Sequence, residues 1–189
     1  MKIGLFFGTF NPLHNGHLII AKTAIAKALI DQVWYVLSPI SPFKQKEKIL
    51  EKNKRANLIE KALLNEEKLI LCKQEFNLPI PNYSIDTLKV LKKRYPNYIF
   101  KILLGQDNFS KIKKWKNHKT ILDNHEIILY PRLGFDFDDL QSQKVLKLDV
   151  PLINYSSTKI RDMIRKGLSI KEYVPASVEK EIFLNKYYD

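Results

Sequence analysis

Two histidines three residues apart, His14 and His17, stand just past a short apolar run that ends in glycine: Lys2–Phe7, then Gly8-Thr9-Phe10-Asn11-Pro12-Leu13-His14-Asn15-Gly16-His17. A strand that turns at glycine into a helix is where open α/β folds let the backbone approach a ligand closely. The free N–H groups that open such a helix favour an anion. Two imidazoles at that entry both reach the crevice and can donate hydrogen bonds to phosphate oxygens. The spacing is not a zinc signature, because no Glu or Cys accompanies the pair. It is not a Walker loop either, because the Gly-Lys-Ser/Thr ending is missing. Phosphate binding at Gly8, His14 and His17 is the expectation.

A second anion site is spelled by Ser156-Ser157-Thr158-Lys159-Ile160-Arg161. Serine and threonine cap a helix whose first N–H groups are free, and Arg161 lies about one turn in, on a face that can reach the same anion. The basic side chains comprise 27 Lys and only 5 Arg, so each arginine marks a place where a planar fork is required. These are Arg55, Arg94, Arg132, Arg161 and Arg165. Gly105-Gln106-Asp107 follows another apolar run, Tyr98–Leu104, and a carboxylate just past a strand end either accepts ribose hydroxyls or serves as a turn residue or cap. Trp115, set among lysines, is either packing or a stacking platform. No activated Ser, Cys or Lys nucleophile is visible, so a covalent enzyme intermediate is unnecessary. Cys72, His118 and His125 read as non-catalytic, and Trp34 as sheet packing.

The elements that must position these residues alternate along the chain. Strands are expected at Lys2–Phe7, Gln32–Leu37, Leu69–Lys73, Tyr98–Leu104, Glu126–Tyr130 and Val145–Leu148, from their β-branched and apolar content. Helices are expected at His17–Ala28, Asn53–Leu64, Ser84–Tyr95 with Ser84 as N-cap, Ser157–Lys166 stopped by Gly167, and Ser177–Asn185. The repeated β-α-β order implies an α/β fold: a doubly wound, mostly parallel sheet with helices on both faces. One domain over 1–189 is expected, with a helical segment from about 156 to 189. The irregular stretches Ser38–Lys48 and Asn77–Tyr83 fall at the carboxyl edge of the sheet, where such folds bind ligands.

Composition narrows the class. With 45% apolar and 28% charged residues the chain is globular rather than disordered. No apolar run approaches the roughly 20 residues of a membrane span. The first residues read as a strand rather than a signal peptide, and one cysteine excludes an intrachain disulfide, so the cytoplasm is the expected address. The net charge of +12 comes from lysines scattered along the chain. It reads as surface decoration, not as a nucleic-acid footprint.

The first segment resembles the Gly-Gly-Thr-Phe-Asp-Pro-x-His-x-Gly-His signature of the nucleotidylyltransferase superfamily, a Rossmann-like fold. The rest of the chain is similar to its nicotinate-nucleotide adenylyltransferase branch. The stretches that carry the resemblance are Pro42-Phe43-Lys44, Asn82-Tyr83-Ser84-Ile85-Asp86-Thr87-Leu88 and Leu104-Gly105-Gln106-Asp107-Asn108 with Lys114-Trp115. They continue with Tyr130-Pro131-Arg132, Tyr155-Ser156-Ser157-Thr158-Lys159-Ile160-Arg161 and Tyr173-Val174-Pro175. Phe7, Asn11 and Phe43 depart from the pattern, so the family's contacts around residues 11 and 43 are not carried over.

The resemblance implies adenylyl transfer from ATP to nicotinate mononucleotide, by direct attack on the α-phosphorus. It implies an ATP site of Gly8, Thr9, Phe10, His14, His17, Gly105, Asp107, Ser156, Ser157, Thr158 and Arg161, with His14, His17 and Arg161 stabilising the developing charge. It implies a mononucleotide site of Lys44, Tyr83, Ser84, Thr87, Asp107, Trp115 and Arg132, with Trp115 stacked on the pyridine ring. Arg55 also matches a family position and reads equally as a structural ion-pair partner. Magnesium is expected to arrive with ATP and not in a protein cage. The expected partners are the two nucleotides, with neither nucleic acid nor membrane; a homo-oligomer stays open. Two other readings stand beside this one. One is a sister enzyme acting on nicotinamide mononucleotide or phosphopantetheine, and the other is a binding module that holds RNA without turnover.

Overall fold

The computed structural model describes residues 1–27, 29–40, 49–135, 144–154 and 156–189. Six strands, β1 (Lys2–Gly8), β2 (Gln32–Leu37), β3 (Leu69–Cys72), β4 (Ile99–Gly105), β5 (Ile127–Tyr130) and β6 (Val145–Lys147), form one sheet in the order β3-β2-β1-β4-β5-β6. Every neighbouring pair is parallel, which sharpens the mostly parallel sheet expected from the sequence. The strand order reverses between β1 and β4, and open α/β sheets bind ligands outside the carboxyl ends of the strands at such a point.

Side chains along the strands alternate between two cores, as a period of two requires in a sheet covered on both faces. Phe6, Val33, Tyr35, Leu37, Leu103, Ile128 and Tyr130 enter one core, with Ile20, Ala21 and Ala24 of α1 (Asn15–Ala26) and Ala56 and Ile59 of α2 (Lys52–Ala62). Ile3, Leu5, Trp34, Val36, Ile102, Leu104, Ile127 and Leu129 enter the other, under Ile85, Leu88 and Leu91 of α3 (Ser84–Arg94). Trp34 is sheet packing, edge-on to Tyr95, Tyr98 and Phe100. A third core lies off the sheet. Leu58 of α2 meets Ile160 and Ile164 of α6 (Ser157–Arg165) and Val178 and Ile182 of α7 (Ala176–Leu184) there.

Three local readings change. The first helix begins at Asn15, not at His17, because His14 takes the N-cap position. Ser84 is the first helical residue of α3, not its cap; Tyr83 occupies the cap with extended backbone and no side-chain bond. The segment between β4 and β5 folds into α4 (Gln106–Phe109), a 3-10 turn (Ile112–Lys114) and α5 (His118–Asn124), none of which the sequence pattern announced.

Candidate functional site

The turn after β1 is built from the inside out. A Cβ on Gly8 would lie 2.9 Å from the Phe10 ring, so only glycine lets that ring fold back over the strand end. Phe10 takes φ 42 and packs edge-on against Phe6, His17 and Tyr35. Its side chain therefore belongs to the core, and only its backbone is left for a ligand. Asn11 is also buried, and its Oδ1 accepts from the Leu50 N–H at 3.1 Å.

His14 and His17 stack at 3.7 Å between ring centroids, and His17 Nδ1 accepts from the His14 backbone N–H at 3.2 Å. That bond makes Nδ1 an acceptor and so places a ring proton on Nε2. Tyr35 Oη holds the start of α1 by donating to His17 O at 3.1 Å. His17 is half-buried, whereas His14 is 2% exposed. Burial, aided by the nearby Arg132 charge, pulls the His14 pKa from 6.5 to about 3, so its ring is neutral at physiological pH.

The N-terminus of α6 is tied onto this turn. Ser156 caps the helix through the Lys159 N–H at 3.3 Å. Ser157 Oγ donates to Pro12 O at 2.9 Å, and Arg161 Nη1 donates to Asn11 O at 2.9 Å. Arg161 Nη2 donates to Thr158 Oγ1 at 3.3 Å. The two stretches picked out separately in the sequence thus meet, with the Arg161 fork divided between the turn's backbone and the Thr158 hydroxyl. Its Nε is buried with no hydrogen-bond partner among the described residues.

Across the crevice, Asp107 Oδ1 and Arg132 Nε form an ion pair at 3.5 Å, while Gln106 Oε1 accepts from the Arg132 N–H at 2.9 Å. Arg132 also lies over the Tyr130 ring at 5.3 Å. Gly105 leaves room for these groups: a Cβ there would meet Asp107 Oδ1 at 2.5 Å. A cavity of about 320 Å³ lies among Asp107, Arg132, Ile153, Asn154, Ser156 and Lys159, joining the β4 and β5 ends to the start of α6.

The remaining predicted residues group around α3. Tyr83 and Ser84 are half-buried at its start, and Lys116 lies over the Tyr83 ring at 4.7 Å while pairing with Asp86 at 2.8 Å. Trp115 is half-buried and packs against the second core. Thr87 has no exposed surface and donates its hydroxyl to Glu75 Oε1 at 2.9 Å, so instead of lining a site, as expected from the sequence, it ties α3 to the 3-10 turn Gln74–Asn77. Lys44, with Phe43 beside it, lies outside the described residues.

Sequence reasoning gave no part to four polar residues of this framework. Glu75 is 1% exposed, and burial raises its carboxyl pKa. Asn82 joins Glu75 O, through Nδ2 at 3.0 Å, to the Ile40 backbone. Gln106 sits next to Asp107 but was passed over, and Lys159 lay inside the recognised motif. Arg55, read equally as a family position and as a structural ion-pair partner, directs its hydrogen bonds to backbone carbonyls of Leu50, Thr9, Ser38 and Pro39.

Comparison with known proteins adds independent findings. Residues 5–163 match the cytidylyltransferase-like family model. A Flavobacterium psychrophilum protein named probable nicotinate-nucleotide adenylyltransferase is 42% identical over 191 residues, covering 100% of this chain and 99% of that protein. One of the same name from Cytophaga hutchinsonii is 40% identical, covering 100% of this chain and 98% of its own length. Among solved structures, the Plasmodium falciparum nicotinic acid mononucleotide adenylyltransferase complexed with NaAD superposes with a TM-score of 0.86 at 22% identity, over 100% of this chain and 97% of that one. At that identity the likeness speaks for the fold.

Proposed function

The chain belongs to the cytidylyltransferase-like family, and from that premise we propose that it transfers the adenylyl group of ATP to nicotinate mononucleotide. The mononucleotide phosphate oxygen attacks the α-phosphorus, the bond to the bridging oxygen breaks, and pyrophosphate leaves. Nicotinate adenine dinucleotide is the product, made in the cytoplasm as a step of NAD synthesis. The observation that carries this reading is the full-length identity to proteins of that name, joined to a phosphate-suited turn tied to the N-terminus of α6.

The chain needs to supply alignment and charge stabilisation, not a nucleophile. His17 donates from Nε2 to a phosphate oxygen. His14, neutral in its buried place, acts as a hydrogen-bonding ring and not as a cation. The free N–H groups of α6, with Ser156, Ser157 and Thr158, form the facing wall, and Lys159 at the cavity edge adds charge that His14 does not. Arg161 stabilises the transfer chiefly by fixing the turn. Gly105 admits the nucleotide and Asp107 accepts its ribose hydroxyls. Tyr83, Ser84 and Trp115 hold the pyridine ring, Thr87 braces α3, and Arg132 and Lys44 take the mononucleotide's phosphate or carboxylate. Magnesium enters as part of the substrate, Mg-ATP.

The test is pyrophosphate release from Mg-ATP with nicotinate mononucleotide, nicotinamide mononucleotide and phosphopantetheine offered separately. Nicotinate mononucleotide is expected to give the highest kcat/KM. A preference for either of the others, or no release with any, overturns the assignment.

A further inference from the structure

Arg55 is 1% exposed, and its guanidinium is shared among three chain segments. Nε donates to Leu50 O at 2.6 Å, Nη1 to Thr9 O at 2.7 Å and Ser38 O at 2.9 Å, and Nη2 to Pro39 O at 2.9 Å. A deeply buried cation ordinarily meets a carboxylate, yet these hydrogen-bond partners are neutral oxygens. Burial draws the Arg55 pKa down to about 10, which leaves it charged at neutral pH.

The geometry has a consequence for the turn. The Thr9–Phe10 peptide is trans, so drawing the Thr9 carbonyl toward Arg55 turns the Phe10 N–H the opposite way. That N–H has no hydrogen-bond partner among the described residues. Phe10 is held at φ 42, a conformation unfavourable for a bulky side chain that persists only where surroundings enforce it. The same guanidinium fixes Ser38 and Pro39 at the end of β2, and Ser38 N–H is bonded to Gly8 O at 2.9 Å.

We propose that Arg55 is a positioning residue for adenylyl transfer. By holding the Thr9 carbonyl inward it presents the Phe10 N–H to the nucleotide phosphates. By holding Ser38 and Pro39 with the same group it sets the spacing between the phosphate turn and the end of β2. It touches neither substrate, and the inference rests on the adenylyl-transfer reading above. Arginine is required because its planar fork spans several carbonyls, whereas lysine carries the same charge at one point.

Arg55→Lys therefore separates charge from geometry. Its kcat for pyrophosphate release is expected to fall on the order of tenfold or more, as misalignment costs, while both KM values change less than threefold. A brace needed only for folding would lower the urea midpoint and leave the folded fraction's kcat at the wild-type value; that result overturns the proposal. A second measurement needs no variant. In the wild-type chain, the Phe10 backbone amide resonance is expected to shift on adding Mg-ATP, and an unmoved resonance at saturation overturns the proposal even if Arg55→Lys does not fold. Normal wild-type turnover with an unaffected Arg55→Lys removes this inference alone. A wild-type chain that releases no pyrophosphate removes the functional reading and this inference together.

Discussion

The buried His14 ties the phosphate turn's stability to pH, and the size of the effect can be worked out. The folded chain takes up a proton at His14 only near pH 3, whereas an unfolded chain does so near 6.5. Between those values the unfolded state binds more protons, so stability falls as the pH falls through that window and is unaffected above it. At pH 5.0 the loss relative to pH 7.5 is about 2 kcal/mol. That figure depends mainly on the unfolded value, since any folded pKa below about 4 gives nearly the same loss. Burial of His125 acts in the same direction, and the raised Glu75 carboxyl acts against it. A comparison with His14→Asn isolates the term, because asparagine does not titrate and is a favoured N-cap. Urea unfolding of both chains at pH 7.5 and 5.0 gives four free energies. The wild type is expected to lose about 2 kcal/mol more than the variant on acidification. Equal losses in the two chains would refute the neutral, buried state of His14 and the division of roles built on it.

Three further outcomes are expected. His17→Ala lowers kcat about a hundredfold or more, the scale of one lost charge-stabilising donor; near-normal turnover at saturating ATP would show that Nε2 does not face the reacting phosphates. Trp115→Ala raises the KM for the mononucleotide and spares that for ATP, and initial-rate kinetics with each substrate varied in turn would expose the reverse pattern. Thr87→Val removes the donor to Glu75 Oε1 and is expected to cost roughly 1–3 kcal/mol in denaturant melts, with the KM for ATP unchanged. A melt matching the wild type would mean that Glu75 does not depend on this hydroxyl.

The strands were legible because their signal is local. Gln32–Leu37 announces itself by Val, Trp, Tyr, Val and Leu in succession, and the strand begins and ends at those residues. Ser156 was readable as a cap for the same reason, its partner lying three residues away. The segment from Gln106 to Asn124 was not, since helices of one or two turns carry too little periodicity to detect. Ser84 misled because a serine before an apolar run is as compatible with the first helical turn as with the cap. The polar scaffold was hidden for a different reason. Arg55 bonds to carbonyls, which every residue type possesses, so nothing in the sequence marks Thr9, Ser38 or Pro39 as its partners. The same holds for Arg161: its place about one turn into α6 was legible, whereas its bond to the Asn11 carbonyl, 150 residues away, was not.

The tethers from α6 to Pro12 and Asn11 also set an order of assembly. A chain made from its N-terminus has all six strands once Lys147 is added, before any of α6 exists. At ordinary rates of synthesis the residues from Ser157 onward follow within seconds. Arg55 can hold the β1–α1 turn early, but the two α6 tethers reach it from 145 and 150 residues further along the chain. A nascent chain halted before Ser157 carries β1 to β6 but neither tether, so whatever binding strength the turn owes to them arrives only once α6 has been made.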